Sequence, residues 1–234
     1  MRSLEGSDPE VGFPDPSEAL SEPNGLLAMG GCLSVPRLLN AYRSGIFPWF
    51  NPGEPILWWS PDPRWVMQPA GIRISRSLGK VIRKNHFTCS FDRAFDQVIK
   101  ACSAPRSMAE GTWISACMMA AYERLHQKGY AHSFEAWQGN ELAGGLYGVA
   151  VGRVFFGESM FHRSTDASKV AFAYACSMLA RWDYQLIDCQ VHTRHLESLG
   201  AFSIDRATFC RQIRMLVDES PDVGAWREEG GWPR

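Results

Sequence analysis

The chain has 234 residues, enough for one large domain or two small ones, and 45% of them are apolar, so a substantial core can form. Its 24 Lys and Arg nearly balance 25 Asp and Glu for a net charge of -1, which excludes a charge-driven nucleic-acid tail but leaves a local basic face open. No apolar run approaches the roughly 18 residues needed to span a bilayer. The first dozen residues carry acids where a secretion signal needs an apolar stretch, and the seven cysteines are scattered without a CxxC pair, so a reduced, cytoplasmic protein without metal is expected.

Residues 1–33 read as an acidic start followed by turn-rich sequence, with Asn24-Gly25 and Gly30-Gly31 as punctuation. Ser34 then has the features of an N-cap, with Pro36 in the first turn, Leu38, Leu39 and Tyr42 on one face, and Gly45 as the stop. From 48 to 65 the chain carries Trp49, Trp58, Trp59 and Trp65 among five prolines, which excludes a long helix and predicts an irregular loop. Its rings serve either a small satellite core or as platforms on which a base can stack.

Between Asp62 and Asp92 there is no acid, while Arg64, Arg73, Arg76, Lys80, Arg83 and Lys84 give a local charge of +6. Arg76, Lys80, Arg83 and Lys84 fall at helical spacing on one face, an unmixed basic stripe suited to phosphates. Strands are predicted at 65–68, 72–75 and 86–91, and helices near 92–102 and 115–128, the second capped by Ser115 and stopped by Gly129. Three strand-like runs follow, AHSFEAWQ, LAGGLYGVAV and RVFFGESMF, joined at Gly139-Asn140 and Gly152 as an antiparallel meander. A buried helix capped by Asp166, a strand YQLIDCQ, a short helix near 193–199 and an amphipathic helix after Asp205 complete the pattern, with an irregular tail from Asp218. This order predicts an α+β fold: a mixed sheet with packed helices over 63–234, preceded by a small N-terminal α/β module over 1–62.

Alternation in YQLIDCQ places Tyr184, Leu186, Asp188 and Gln190 on one face, and in RVFFGESMF it places Glu158 beside Met160. Carboxylates and an amide inside apolar strands are costly unless they satisfy one another or line a cavity. Gly157 next to Glu158 suggests a bulge or a close approach. The chain lacks a Walker loop, a GxSxG elbow, HExxH and a GxGxxG. Its six histidines show no metal spacing and read as structural. An acid and an amide without a nucleophile suit a reaction in which the substrate brings the nucleophile, such as an amine attacking an activated ester.

GIFPWF at 45–50, WWSPDPR at 58–64, EGTWI at 110–114, HSFEAW at 132–137, GGLYGV at 144–149, FGESMF at 156–161, IDCQ at 187–190 and HLESLGA at 195–201 together resemble the bacterial leucyl/phenylalanyl-tRNA-protein transferases, in order and over residues 13–215. The resemblance implies a catalytic domain with the fold of the GCN5-related N-acetyltransferases. It also implies transfer of Leu, Phe or, less well, Met from aminoacyl-tRNA to proteins with N-terminal Arg or Lys, marking them for degradation. No cofactor, metal or membrane is implied, and a monomer is expected.

On the same resemblance Asp188, Gln190 and Glu158 form the catalytic group. Gln190 would act at the ester carbonyl, Asp188 would support the attacking amine or relay its proton, and Glu158 would hold the cationic acceptor N-terminus. Trp49, Trp113 and Tyr42 would hold the terminal adenosine, and Arg76, Lys80, Arg83 and Lys84 would lie under the acceptor arm. Leu146, Phe155, Met160, Phe172 and Leu179 would form the amino-acid pocket. Two alternatives stay open. An acyl-CoA-dependent N-acyltransferase is disfavoured because FHRSTDASKVA lacks the glycines of a pyrophosphate loop. A non-catalytic tRNA-binding module has no use for the three polar residues together.

Overall fold

In the computed structural model, residues 2–4, 12–104, 114–227 and 232 are described. Short β1 (Arg2–Leu4) and β2 (Leu26–Gly30) are followed by α1 (Val35–Arg43), β3 (Phe47–Pro48) and β4 (Leu57–Trp59). These strands form a four-stranded sheet in the order β1-β2-β4-β3. The segment expected to be an irregular loop therefore contains two strands. Its prolines are accommodated because Pro48 lies on the edge strand, where a missing N–H leaves no ladder bond broken. Trp58 is fully buried and donates its indole N–H to the carbonyl of Gly30 at 2.9 Å, tying β4 to β2.

The larger sheet begins with β5 (Arg64–Met67). After α2 (Arg76–Arg83) come β6 (Thr88–Phe91), α3 (Phe95–Cys102), α4 (Ala116–Gln127) and the expected meander of β7 (Ala131–Gln138), β8 (Glu141–Val151) and β9 (Val154–His162). Helix α5 (Ala167–Arg181) then crosses over to β10 (Leu186–Gln190), and α6 (Arg194–Ser198), β11 (Phe202–Ile204) and α7 (Arg206–Leu216) follow. The seven strands lie in the order β11-β5-β10-β9-β8-β7-β6, with β9 and β10 parallel and every other neighbouring pair antiparallel. The mixed α+β sheet is thus as anticipated. The stretch 72–75, expected to be a strand, instead leads into α2 without a ladder, and Arg73 donates its backbone N–H to the Leu199 carbonyl.

Helix starts follow the sequence closely. Ser34, Ser75, Ser115, Thr193 and Asp205 each accept a backbone N–H three residues on, satisfying donors that the first turn leaves free. Helices α3 and α5 start without such a bond, α3 at Ala94, which has no polar side chain, and α5 at Asp166. Asp166 occupies the N-cap of α5 in the left-handed region (φ 65°), makes no capping bond, and its carboxylate takes the Lys169 ammonium at 2.8 Å instead.

The sheet separates two apolar clusters. One joins Phe156, Val149 and Val66 to α1, α3, α4, α7 and the small sheet; the other joins Phe155, Leu146 and Ile187 to α2 and α5. The first cluster spans both sheets, so the N-terminal elements share a core with the larger sheet. In the tail, Trp226 stacks on His132 with ring centroids 3.6 Å apart and donates to the Tyr184 hydroxyl at 2.8 Å.

The register of β8 against β9 slips by one: Gly148 faces Gly157 while Tyr147 faces Ser159, so Glu158 is the extra residue of a bulge. A side chain at Gly148 would put its Cβ 2.3 Å from the Phe156 carbonyl oxygen and 2.6 Å from the Phe155 ring. Gly148→Ala should therefore cost about 1 to 3 kcal/mol through overpacking. That is a fall in melting temperature of several degrees, readable by circular dichroism.

Candidate active site

Bulge and strand end together build the site. Upstream of the bulge β9 alternates regularly, Phe155 toward the α5 side and Phe156 toward the α1 side. The extra residue resets the phase. Glu158 keeps the Phe156 side and meets tyrosines of α1 and α4, whereas Met160 packs on the α5 side, so the two do not share a face as alternation implied.

A second irregularity ends β10. The pairing with β5 slips between Asp188 and Gln190, and Gln190 has φ 63°. Val191 donates its N–H to the Cys189 carbonyl at 2.8 Å, closing a tight turn centred on Gln190. A non-glycine residue held there costs of order 1–3 kcal/mol and persists only when its surroundings enforce it. Tyr184, expected on the Asp188 face, precedes the strand and packs in the α5-side cluster.

What enforces the Gln190 turn is Asp188. Its carboxylate is fully buried and takes the Gln190 backbone N–H at 2.9 Å, together with Nε and Nη2 of Arg64 at 2.8 and 2.6 Å. The Arg64 guanidinium packs over the rings of Phe47 and Phe209, 4.8 and 4.4 Å from their centroids. Asp188 is thus committed to the protein itself, contrary to the expectation that it faces the amine. Arg64, counted in the sequence in the basic run between Asp62 and Asp92, is the most buried of that run. The sequence does carry a signal for this: in RWVM it shares the face of Val66, an interior residue.

Glu158 is the hub of the second half. Its Oε1 lies 2.8 Å from the Tyr42 hydroxyl and 3.1 Å from the Gln190 amide nitrogen, its Oε2 lies 2.7 Å from the Tyr122 hydroxyl, and the two hydroxyls are 2.8 Å apart. Burial pushes the Glu158 carboxyl up to about 7, against the pull of its hydrogen-bond donors, and the Asp188 charge adds to the rise. Burial, with the nearby Glu158 charge, pushes the phenols of Tyr42, Tyr122 and Tyr147 upward.

These groups stand in a cleft of about 1020 Å³ at the carboxyl ends of β9 and β10. Leu146, Met160 and Phe172 line it, while Phe155 and Leu179 are fully buried in the core behind. Trp49 lies on its rim, 47% exposed, with its carbonyl accepting the indole N–H of Trp59 at 2.6 Å. Tyr42 offers no surface to an adenine, since it is fully buried under Glu158. Trp113 lies outside the described residues. All four residues of the basic stripe, Arg76, Lys80, Arg83 and Lys84, are exposed, with Leu78 turned inward. Of the histidines, His132 is bound by Asp92 at 2.6 Å, but His195 lines the cleft and burial lowers its pKa. Nothing in the sequence singles out Tyr122; its place one turn from Met118 on an apolar helix face reads as core.

Residues 66–214 match the family described as leucyl/phenylalanyl-tRNA protein transferase, and residues 31–62 match the N-terminal domain of that family. Relatives bearing this name include one from Methylococcus capsulatus, 56% identical over 228 residues and 97% of each chain. Another, from Thiobacillus denitrificans, is 58% identical over 214 residues, 92% of this chain and 94% of the relative. Among solved structures, a GCN5-related N-acetyltransferase from Kribbella flavida is 10% identical with a TM-score of 0.37, covering 70% of this chain and 58% of that one.

The chain is an enzyme, an aminoacyltransferase. Within that class it belongs to the leucyl/phenylalanyl-tRNA–protein transferase family.

Breaking a buried ion pair by removing one partner costs about 3–5 kcal/mol, because the other charge is left uncompensated. Arg64→Met and Asp188→Asn should each lose stability on that scale. The double variant should recover a large part of it, since the amide introduced by Asp188→Asn still offers an oxygen to the Gln190 N–H. Urea melts of the four proteins measure this coupling directly.

Proposed function

We propose that the protein moves leucine, phenylalanine and, less well, methionine from aminoacyl-tRNA to the α-amino group of proteins that begin with Arg or Lys. The new peptide bond marks those proteins for degradation, in the cytoplasm. One observation carries this reading: a polar group, Glu158 with Gln190, stands beside an apolar recess of Leu146, Met160 and Phe172 in a single cleft. An apolar aminoacyl side chain in the recess brings its ester carbon toward the polar group.

A Gln amide has two N–H donors. One is spent on Glu158, which fixes the amide plane, and the other is directed to the ester carbonyl oxygen. There it stabilises the negative charge that grows as the amine attacks, an effect of about 10² to 10³ in rate for a single donor. The α-amine forms the carbon–nitrogen bond, the bond to the ribose 3′-oxygen breaks, and one proton passes in net from nitrogen to that oxygen. Asp188 contributes by holding the Gln190 turn. The exposed ring of Trp49 is assigned to the terminal adenosine, with Trp113, and the stripe Arg76, Lys80, Arg83 and Lys84 to phosphates of the acceptor arm. Phe155 and Leu179 support the recess from behind. The change of sheet between β4 and β5 supports a division near residue 63 into an N-terminal module and a catalytic domain, working as a monomer.

The test is transfer of radiolabelled Phe from Phe-tRNA to a peptide beginning with Arg, beside one beginning with Ala. Label on the Arg peptide alone is expected, and label on neither peptide would remove the reading. Gln190→Ala should abolish transfer while leaving tRNA affinity unchanged. Affinity for tRNA should fall steeply with salt, and Lys80→Ala with Arg83→Ala should flatten the log–log slope by about 1 to 2, near 0.7–0.9 for each phosphate no longer neutralised. Titrations over a salt series would read that slope.

A further inference from the structure

The protons around Glu158 define its protonation state. Three oxygen–oxygen contacts close a triangle: Tyr42 hydroxyl to Glu158 Oε1 at 2.8 Å, Glu158 Oε2 to Tyr122 hydroxyl at 2.7 Å, and hydroxyl to hydroxyl at 2.8 Å. Each contact at that length needs one hydrogen between its oxygens. A tyrosine has a single O–H and an ionised carboxylate has none, so an anionic Glu158 leaves three contacts with two protons. Two lone-pair-bearing oxygens would then face each other inside a fully buried pair of rings.

One added proton resolves every contact. Oε2–H donates to the Tyr122 oxygen, Tyr122 donates to the Tyr42 oxygen, and Tyr42 donates to Oε1. Oε1, now the carbonyl oxygen of the acid, also accepts the Gln190 amide at 3.1 Å. We infer that Glu158 rests as a neutral carboxylic acid whose proton closes a hydrogen-bonded ring with Tyr42 and Tyr122, and that this acid protonates the departing ribose 3′-oxygen.

The second half rests on the aminoacyl-transfer reading and the first does not. In the step, the amine nitrogen bonds to the ester carbon, the carbon–oxygen bond breaks, and the leaving oxygen takes the Glu158 proton, which gives up its hydrogen bond to Tyr122 and opens the ring. The surplus proton on nitrogen returns to the Glu158 carboxylate, so the enzyme ends as it began. Tyr42 and Tyr122 are positioning residues that hold the proton at rest and close the ring again when it returns. The surroundings favour the neutral form. Asp188 on β10 adds a negative charge that Arg64 of β5 balances, and Gln190 contributes only a dipole. Tyr42 comes from α1, Tyr122 from α4 and Tyr147 from β8, all neutral phenols, and Cys102 of α3 lies beside Tyr147. The carboxyl raised to about 7 by burial agrees with the proton count. The expectation that Glu158 is a carboxylate paired with the acceptor's charge gives way to an uncharged acid at rest.

Infrared difference spectra of the full chain, wild type minus Glu158→Gln, test the resting state without any substrate. At pH 6 the carbonyl band of a neutral acid is expected, fading with a midpoint near 7. In Tyr122→Phe at pH 5 the band should persist but move, because the O–H no longer has its acceptor; an unmoved band would overturn the ring. Carboxylate alone at pH 6 would overturn the neutral acid.

Melting temperatures give a second reading. The folded carboxyl is raised above its unfolded value of 4.5, so between the two the native state binds more protons and stability falls as pH rises. The margin of Glu158→Gln over wild type should widen up to about pH 7 and then level off; a narrowing margin would overturn the assignment. Glu158→Gln preserves each contact, its amide donating to Tyr122, but has no proton to give. Its kcat for Phe transfer should fall about 10² to 10⁴-fold with KM for the peptide unchanged. Transfer at the wild-type rate would overturn the catalytic half and leave the transferase reading intact. Absence of transfer in the wild type would count against that reading and not against the ring.

Discussion

The arrangement of the site depends on one buried ion pair, Arg64 with Asp188. Two charges with at most 1% of their side-chain surface exposed carry a desolvation cost of several kcal/mol each, which their attraction offsets only with good geometry. Here the geometry is bidentate, the guanidinium lies over two aromatic rings, and the remaining carboxylate capacity goes to the Gln190 N–H. The pair also gathers elements far apart in the chain. Arg64 belongs to β5, Asp188 to β10, Phe47 to the N-terminal sheet and Phe209 to α7. Loss of any one of them loosens the clamp that keeps Gln190 in a left-handed turn.

Two backbone irregularities then do what a regular sheet cannot. In ideal strands the side chains of β9 and β10 would point alternately up and down, and a polar pair on neighbouring strands would lie parallel, a strand spacing apart. The bulge at Glu158 and the turn at Gln190 tip both side chains toward the same point, where amide and carboxyl meet at 3.1 Å. Both lie just beyond the paired stretch of the two parallel strands joined by α5, Glu158 two residues past Phe156 in β9 and Gln190 at the end of β10. The crossover helix covers one face there, and the sheet opens into the cleft. Glycines are the local means. Gly148 allows the Phe156 carbonyl to approach without a side chain in its way.

Much of this frame is legible in the sequence, and what is not has a physical cause. Helix starts at Ser34, Ser115 and Asp205 are readable because capping is local chemistry. The meander is readable because period-two patterning and Gly turns coincide. The Trp/Pro stretch misleads because local propensity forbids helix there but says nothing of a partner strand 28 residues away, which Trp58 finds at Gly30. Alternation puts Glu158 and Met160 on one face because it assumes an unbroken ladder; Gly157 hints at the bulge without giving its phase. Asp188 and Gln190 stand out by their cost in an apolar strand. Their partners Arg64 and Tyr122 stay hidden, because an arginine in a basic run and a tyrosine on an apolar helix both have an ordinary reading. The resemblance supplies the chemistry, but it puts Tyr42 on a substrate ring where the fold puts it beneath an acid.

The chemistry explains why neither acid of the polar group stands in the cleft as a free charge. An aminoacyl ester is already activated, so the enzyme has to bring amine and ester together and steady a transient oxyanion. Well-oriented reactants gain about 7–11 kcal/mol over the same reaction between free species. A single oxyanion donor adds roughly 2.7–4 kcal/mol. An anionic carboxylate free in the cleft would work against both, drawing the α-amine as an ammonium ion that cannot attack and repelling the charge growing on the carbonyl oxygen. Asp188 is neutralised by Arg64 and turned to structural use, and Glu158 is hydrogen-bonded on both oxygens within an apolar wall. The acids are held back from the cleft as charges, and their hydrogen bonds fix Gln190, one through its backbone N–H and the other through its side-chain amide.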